Sequence, residues 1–361
     1  MDVVRPAAPL DPAQHSAPRA ALIPFYTDEG WHALRAQDLT ASSIAGHFGA
    51  SKWSSEYRDF VEKTGLAAPV RSTAIMDAGR FLEDGIAHLI AHNEGLAIGT
   101  AAELAEDMIL EGAPLLVRCP DVPDQPATRV LAGAYLRDID SRLGATPDRI
   151  IADWRGSGPR PLEIKNVSWQ AWRDEWLDGE APVKYWLQGQ IQTGIGRLAG
   201  FPWAGFVIGA LVAGNETRVL PYDFDPDTFA MCQTKAIEFW RMVEAGKEPP
   251  PDFWRTSDQD AIKRRYRDAQ PVPLDLSGST RALEVALRLK EVRAAITLAE
   301  KEKDALDAEL RHMIGASEAA TLPDGWTIKA GVTHRAGFTV DPTSFRSLRV
   351  NPPKADKRMA A

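Results

Sequence analysis

The stretch LGATPDRIIADWRGSGPRPLEIKNV, residues 143–167, places two apolar runs on either side of a turn rich in glycine and proline. Leu143 to Trp154 and Arg160 to Val167 read as strands, with Gly156 to Gly158 as the hairpin between them. Side chains alternate across a strand, so Glu163 and Lys165 share one face while Leu162 and Ile164 take the other. Asp148 is separated from Glu163 by fourteen residues, and a hairpin that folds it back brings two carboxylates and one ammonium together. Two readings stand open. Asp148 is a turn residue and the Glu-Lys pair faces solvent on an edge strand, or the group binds Mg²⁺ or Mn²⁺ through oxygen. Ile150, Ile151, Leu162, Ile164 and Val167 make both strands look like inner ones, where a charged pair needs partners or a metal.

Working outward, a helical region runs from Thr27 to Gly65, with Thr40 or Ser42 capping Ala41 to Phe48 and Ser54 or Ser55 capping the next helix. A longer helix lies between Ser72 and Gly95, its stripe made by Ile75, Gly79, Leu82, Ile86, Leu89 and Ile90, with Glu83 beside it. Short strands follow at Pro114 to Arg118 and Arg129 to Asp140. Beyond the hairpin, helices at Pro182 to Leu198 and Asp225 to Ala245 enclose strands at Trp203 to Val212 and Glu216 to Tyr222. This order predicts an α/β (α+β) fold, a mixed central sheet flanked by helices.

At 361 residues the chain can hold one large core and an appendage. Residues 1–26, with four prolines in the first twenty, read as a disordered tail, 27–248 as the core and 249–361 as a C-terminal extension. The extension opens at Pro249 to Pro251 and carries a basic cluster at Lys263, Arg264, Arg265 and Arg267, read as a solvated face or a DNA contact. Val285, Leu289, Val292, Ile296, Ala299, Lys303, Leu306, Leu310 and Met313 then follow at alternating steps of four and three, the seam of a long helix that packs on another helix. A small hairpin is expected from Gly325 to Val332 and Gly337 to Val340, and a basic tail from Arg346, Arg349, Lys354, Lys357 and Arg358.

The two cysteines, Cys119 and Cys232, exclude a thiolate-ligated zinc or iron-sulfur cluster and fit a cytoplasmic protein. The longest apolar run, Trp203 to Gly214, is too short to cross a bilayer, so no membrane partner is expected. A net charge of −8 argues against a broad basic surface but suits a site that concentrates carboxylates around cations.

Five segments in order carry a resemblance. Trp31-His32-Ala33-Leu34-Arg35 with Thr40-Ala41-Ser42 resembles the opening of the lambda-type exonuclease family, the YqaJ-like viral recombinases of the PD-(D/E)xK nuclease superfamily. Gly79-Arg80-Phe81-Leu82-Glu83 is similar to its helix with the first acidic residue. Thr146-Pro147-Asp148 and Leu162-Glu163-Ile164-Lys165 resemble its second and third motifs, and Tyr185-Trp186-Leu187-Gln188 with Gln190 its glutamine helix.

The resemblance implies a restriction-endonuclease-like fold and magnesium-dependent cleavage of duplex DNA from a 5′ end, with Mn²⁺ able to substitute. It implies that Glu83, Asp148, Glu163 and the Ile164 carbonyl hold metal, that Lys165 positions the attacking water and that Gln188 orients the water or a ligand. Arg35, Ser42 and Thr146 match positions that take the terminal 5′ phosphate. Phage-type recombination by strand annealing follows as the expected role, with double-stranded DNA ends, a single-strand annealing protein and a homotrimer as partners. Other readings stay open: Glu83 as a surface pair with Arg80, Ser42 as a helix cap only, Gln188 and Gln192 as a solvated stripe, and Trp169, Trp172 and Trp176 as core or as a stacking platform. For the whole chain, an endonuclease of the same fold and an inactive recombination scaffold are the alternatives.

Overall fold

Pro147 breaks the strand expected over residues 143–154. In the computed structural model, which describes residues 19–70, 72–110, 131–334, 337 and 346–351, Leu143–Ala145 pairs in one sheet and Arg149–Ile151 in another. Proline has no N–H to give to a ladder. The chain leaves the first sheet there, and Thr146-Pro147-Asp148 becomes the crossing between the two.

The chain divides into two compact units, residues 1–266 and 267–361. The first opens with β1 (Ala20–Phe25), α1 (Asp28–Ala36), β2 (Leu39–Thr40), α2 (Ile44–His47), α3 (Glu56–Lys63), α4 (Ala74–Glu94), β3 (Ile98–Gly99) and α5 (Ala101–Leu110). It continues with β4 (Gly133–Asp138), β5 (Leu143–Ala145), β6 (Arg149–Ile151), β7 (Arg160–Val167), α6 (Trp169–Glu175), α7 (Val183–Leu198), β8 (Gly205–Val212), β9 (Glu216–Asp223), α8 (Pro226–Glu244) and α9 (Thr256–Arg265). Four strands form a sheet in the order β1-β4-β5-β2, and five form another in the order β3-β6-β7-β8-β9. Both sheets are mixed, since β2 runs parallel to β5 and β7 to β8 while the remaining pairs are antiparallel. The α/β class expected from the sequence is the one observed, with two mixed sheets where one was expected.

Two boundaries differ from the sequence reading. Residues 20–25 lie in the segment assigned to a tail, yet Ala20 to Phe25 pair with Asp138 to Gly133 and are largely buried. Their apolar sequence fits this, and the rest of that segment, residues 1–18, lies outside the described residues. The prolines at 249–251 do not end the core either. α9 packs on α3, where Arg264 meets Glu62 at 2.6 Å and Arg265 meets the Tyr57 hydroxyl at 3.3 Å and Glu248 at 2.7 Å. Much of the basic cluster is thus engaged in internal ion pairs.

β7 is an inner strand, between β6 and β8. Its Leu162 and Ile164 pack with Ile86, Ala87 and Ile90 of α4, whereas Val167 packs with Phe206, Ile208 and Ala210 on the other face. Of the expected α4 stripe only Ile86 and Ile90 are buried; Ile75 and Leu82 are exposed because the buried contacts with β7 begin at Ile86, and Leu89 is exposed because the buried face runs through Ile86, Ala87 and Ile90. Thr73 caps this helix by accepting from the Met76 N–H, and Gly95 ends it at φ 65°. α7 touches both sheets. Its Leu187, Ile191 and Ile195 join Leu22, Leu136 and Leu143 in one core, while Gly189 lies so close to Phe206 that a Cβ would come within 2.1 Å of the ring.

The second unit contains α10 (Thr280–Ile314) and a hairpin of β10 (Ala319–Thr321) with β11 (Thr327–Lys329). The hairpin forms one strand earlier than expected, since the turn at Pro323–Gly325, with Asp324 at φ 58° and Gly325 at φ 80°, reverses the chain between Thr321 and Thr327. Of Gly337 to Val340 only Gly337 is described, and Pro114 to Arg118, Cys119, Lys354, Lys357 and Arg358 lie outside the described residues. Among the described residues no helix is long and apolar enough to cross a membrane.

Candidate active site

β7 carries Glu163 into the interior with only 1% of its surface exposed. A carboxylate so placed needs donors, and three side chains supply them. Gln188 Nε2 donates to Oε1 and Gln192 Nε2 to Oε2, each at 2.6 Å, and the Lys165 ammonium pairs with Oε1. Both glutamines come from α7, one turn apart, on the side turned to β7. The solvated-stripe reading therefore fails for Gln192, which is fully buried, and for Gln188, which is half-buried. Gln192 also reaches the Thr146 carbonyl at 3.4 Å. Lys165 lies over the Tyr185 ring, its Nζ 4.9 Å from the centroid.

Asp148 ends the crossing between the sheets and accepts from the Ile164 N–H at 2.7 Å. Burial, then the neighbouring charge of Glu163, pushes its carboxyl well above the usual aspartate range. Glu83 reaches the same cluster from α4, and its carboxyl is also raised, mainly by burial, against the nearby Arg149. It pairs with Arg149 at 3.1 Å, so the alternative surface pair with Arg80 is not formed; Arg80 meets Asp28 and Asp77 instead. Burial works against the Lys165 charge, but Glu163 and Asp148 outweigh it and raise its pKa. The four groups assigned from sequence therefore act on one another electrostatically, from one helix, one crossing and one strand.

A second group adjoins the first through Thr146. The Trp31 indole N–H donates to Thr146 Oγ1 at 3.0 Å, Arg35 stacks on Trp31 at 4.5 Å, and Arg35 Nη2 donates to Ser42 Oγ at 3.1 Å. Ser42 is not a helix cap. α2 begins at Ile44 after Ser43, without a side-chain cap. Burial lowers the Arg35 pKa, and Glu163 is among the charges that oppose this, so the guanidinium lies within electrostatic reach of the carboxylate cluster. Arg35, Ser42 and Thr146 thus stand together, linked to Asp148 by one proline.

Among the described residues no three His, Cys, Asp or Glu side chains stand together as a finished metal cage. Glu83 is turned to Arg149 and Glu163 to its three donors. The donor set still suits a hard cation, because Asp148 and Glu163 both bring carboxylate oxygens and lie close enough for the charge of one to raise the pKa of the other. Gln192, Arg149 and the Trp31 indole were not assigned roles from sequence. Position four after Gln188 on a helix facing β7 was the signal available for Gln192. Trp172 and Trp176 stack at 5.1 Å and Trp176 is buried, as core aromatics are, while Trp169 is exposed.

No family model and no curated protein matches the chain. Among solved structures it is similar to an alkaline exonuclease, LHK-Exo, from Laribacter hongkongensis, at 17% identity and a TM-score of 0.41, over 60% of this chain and 93% of that one. It is similar also to LHK-Exo in complex with dAMP, at 18% identity and a TM-score of 0.41, over the same shares.

Proposed function

We propose that this chain is a divalent-metal-dependent deoxyribonuclease of the restriction-endonuclease-like type that degrades one strand of duplex DNA from its 5′ end. The observation that carries this is Glu163 buried on an inner strand beside Lys165, with Asp148 bound to the amide of the residue between them. Asp148, Glu163 and the Ile164 carbonyl would hold Mg²⁺, or Mn²⁺ in its place, and Glu83 would join them on leaving Arg149. When bound, the cation polarises the scissile phosphate and acidifies a water.

The chain's own groups do the rest. Lys165 keeps its proton, so it acts as a fixed positive charge that orients the attacking water and offsets charge gathering on the phosphate. Gln188 fixes Glu163 Oε1, and in the loaded site its amide orients water or a ligand. Arg35, Ser42 and Thr146 receive the terminal 5′ phosphate, for which a planar guanidinium offers two parallel N–H donors. Mononucleotide release would leave a 3′ single strand for an annealing protein, in phage-type recombination within a bacterial cytoplasm, and a homotrimeric ring would keep the enzyme on its track.

The test compares linear duplexes carrying 5′ phosphate or 5′ hydroxyl with a covalently closed circle, in Mg²⁺ and in chelator. Digestion of the 5′-phosphorylated linear duplex alone, abolished by chelator, is the expected result. Nicking of the circle would make the protein an endonuclease, and binding without metal-dependent turnover would make it a scaffold.

A further inference from the structure

α10 is 35 residues long, about 52 Å at the α-helical rise, and none of its residues is buried. Its heptad seam is open to solvent among the described residues, with Ile296 52% and Leu306 54% exposed and Val285, Val292, Leu310 and Met313 exposed as well. An apolar stripe of this length in water, interrupted only by Lys303, calls for a partner helix. The side chains that flank the seam say which one.

Those flanking positions are segregated by charge along the helix. Arg288 and Arg293 flank the N-terminal half, whereas Glu300, Glu302, Asp307 and Glu309 flank the C-terminal half. In a parallel pair Arg288 would face the partner's Arg293, Glu302 would face the partner's Asp307, and the two Lys303 side chains would meet in one layer of the seam. Each of these juxtapositions is repulsive. Reversing one helix removes all three.

We propose that α10 pairs antiparallel with α10 of a second copy of this chain, about a twofold axis near Lys301. In that register Leu289 meets the partner's Met313, Val292 the partner's Leu310 and Ile296 the partner's Leu306. Lys303 falls opposite the partner's Ala299, whose small side chain leaves the ammonium room to turn toward the partner's Glu300. Arg293 lies two positions from level with the partner's Asp307, and Arg288 is five positions, about 7.5 Å, short of the partner's Glu309, within reach of a long guanidinium. Glu300 and Glu302, beside the axis, meet their own copies, with Lys303 of each helix next to them. The basic half of each helix covers the acidic half of the other, and like charges meet only beside the axis, at Glu300 and Glu302, where the two Lys303 side chains offset them. The surface is thus far closer to self-complementary, as a twofold interface requires, than in the parallel pair. A different protein would need the same charge order by coincidence, whereas a second copy has it by identity. The pairing does not depend on the nuclease reading.

The test uses the full chain and two charge-reversed forms, Arg288→Glu with Arg293→Glu and Asp307→Arg with Glu309→Arg. Sedimentation equilibrium should show the parent self-associating, each reversed form weakened by roughly tenfold or more, and their equimolar mixture restored. These side chains are exposed, so circular dichroism should show both forms as helical as the parent. Cysteine pairing gives the direction independently. Val292→Cys chains mixed with Leu310→Cys chains should form a mixed disulfide dimer, and Val292→Cys alone should not exceed the parent, which carries Cys119 and Cys232 as background. A parent chain without self-association, a reversed form that associates as strongly as the parent, or self-crosslinking of Val292→Cys would each overturn the proposal.

Discussion

The carboxylate of Asp148 accepts a hydrogen bond from the backbone N–H of Ile164, at 2.7 Å and across sixteen positions of chain. Arg149 is the first residue of β6 and pairs with Leu162, so one step before it a side chain takes over from the backbone as the acceptor for β7. The bond fixes Asp148 between Glu163 and Lys165, which flank Ile164. A metal centre assembled there would inherit its geometry from a strand pair and not from a loop.

Asp148→Asn keeps an acceptor oxygen for Ile164 while removing the charge. Cleavage should fall by about 100-fold or more, at or beyond the top of the roughly 10- to 100-fold range seen for an outer partner of a metal ligand. The metal-free variant should be more stable than the parent at pH 8. The native carboxyl is raised above its ordinary 3.8, so its stabilising contribution is present below that value and is lost as pH rises through the native pKa. Thermal denaturation of both proteins in chelator at pH 5 and pH 8 checks this, and a parent no less stable relative to the variant at pH 8 than at pH 5 would refute it.

Gln192→Leu removes the donor to Glu163 Oε2 inside the core. An unsatisfied buried group of this kind costs about 1–3 kcal/mol. Urea unfolding should show that loss in chelator. Gln188→Leu, at a half-buried position, should lose activity with a smaller loss of stability.

Arg35→Lys retains a positive charge but not the planar fork that meets Ser42 and stacks on Trp31. The preference for 5′-phosphorylated over 5′-hydroxyl duplex ends should shrink by roughly tenfold, with circular dichroism unchanged. Equal preference in the variant and the parent would remove Arg35 from the phosphate site.

Gly189→Ala introduces a methyl group 2.1 Å from the Phe206 ring, where α7 lies on β8. Overpacking should cost about 1–3 kcal/mol in urea unfolding. Because Gln188 and Gln192 ride on the same helix, the Michaelis constant for Mg²⁺ should rise as well. An unchanged midpoint and unchanged Mg²⁺ dependence would mean that α7 is free to move away from the strand.

Much of this was legible in the chain. The alternation in Leu162-Glu163-Ile164-Lys165 put acid and base on one face, and the observed β7 keeps them there with Leu162 and Ile164 on α4. Helical spacing located α4, α7 and α8, and the four-three steps located α10. These are local properties. A strand's two faces and a helix's repeat follow from backbone geometry alone, so the residues that share a face are fixed before any packing occurs.

What the tertiary structure decided was which faces meet. Gln192 reads as a solvated stripe until α7 is laid on β7, and Glu83 is open to a surface pair with Arg80 until Arg149 arrives from β6. Residues 20–25 look like part of a loose tail until β4, more than a hundred residues later, offers them a ladder. Each of these contacts joins residues distant in sequence. Its free energy depends on burial and charge contributed by both partners at once, and neither partner's own segment carries that information.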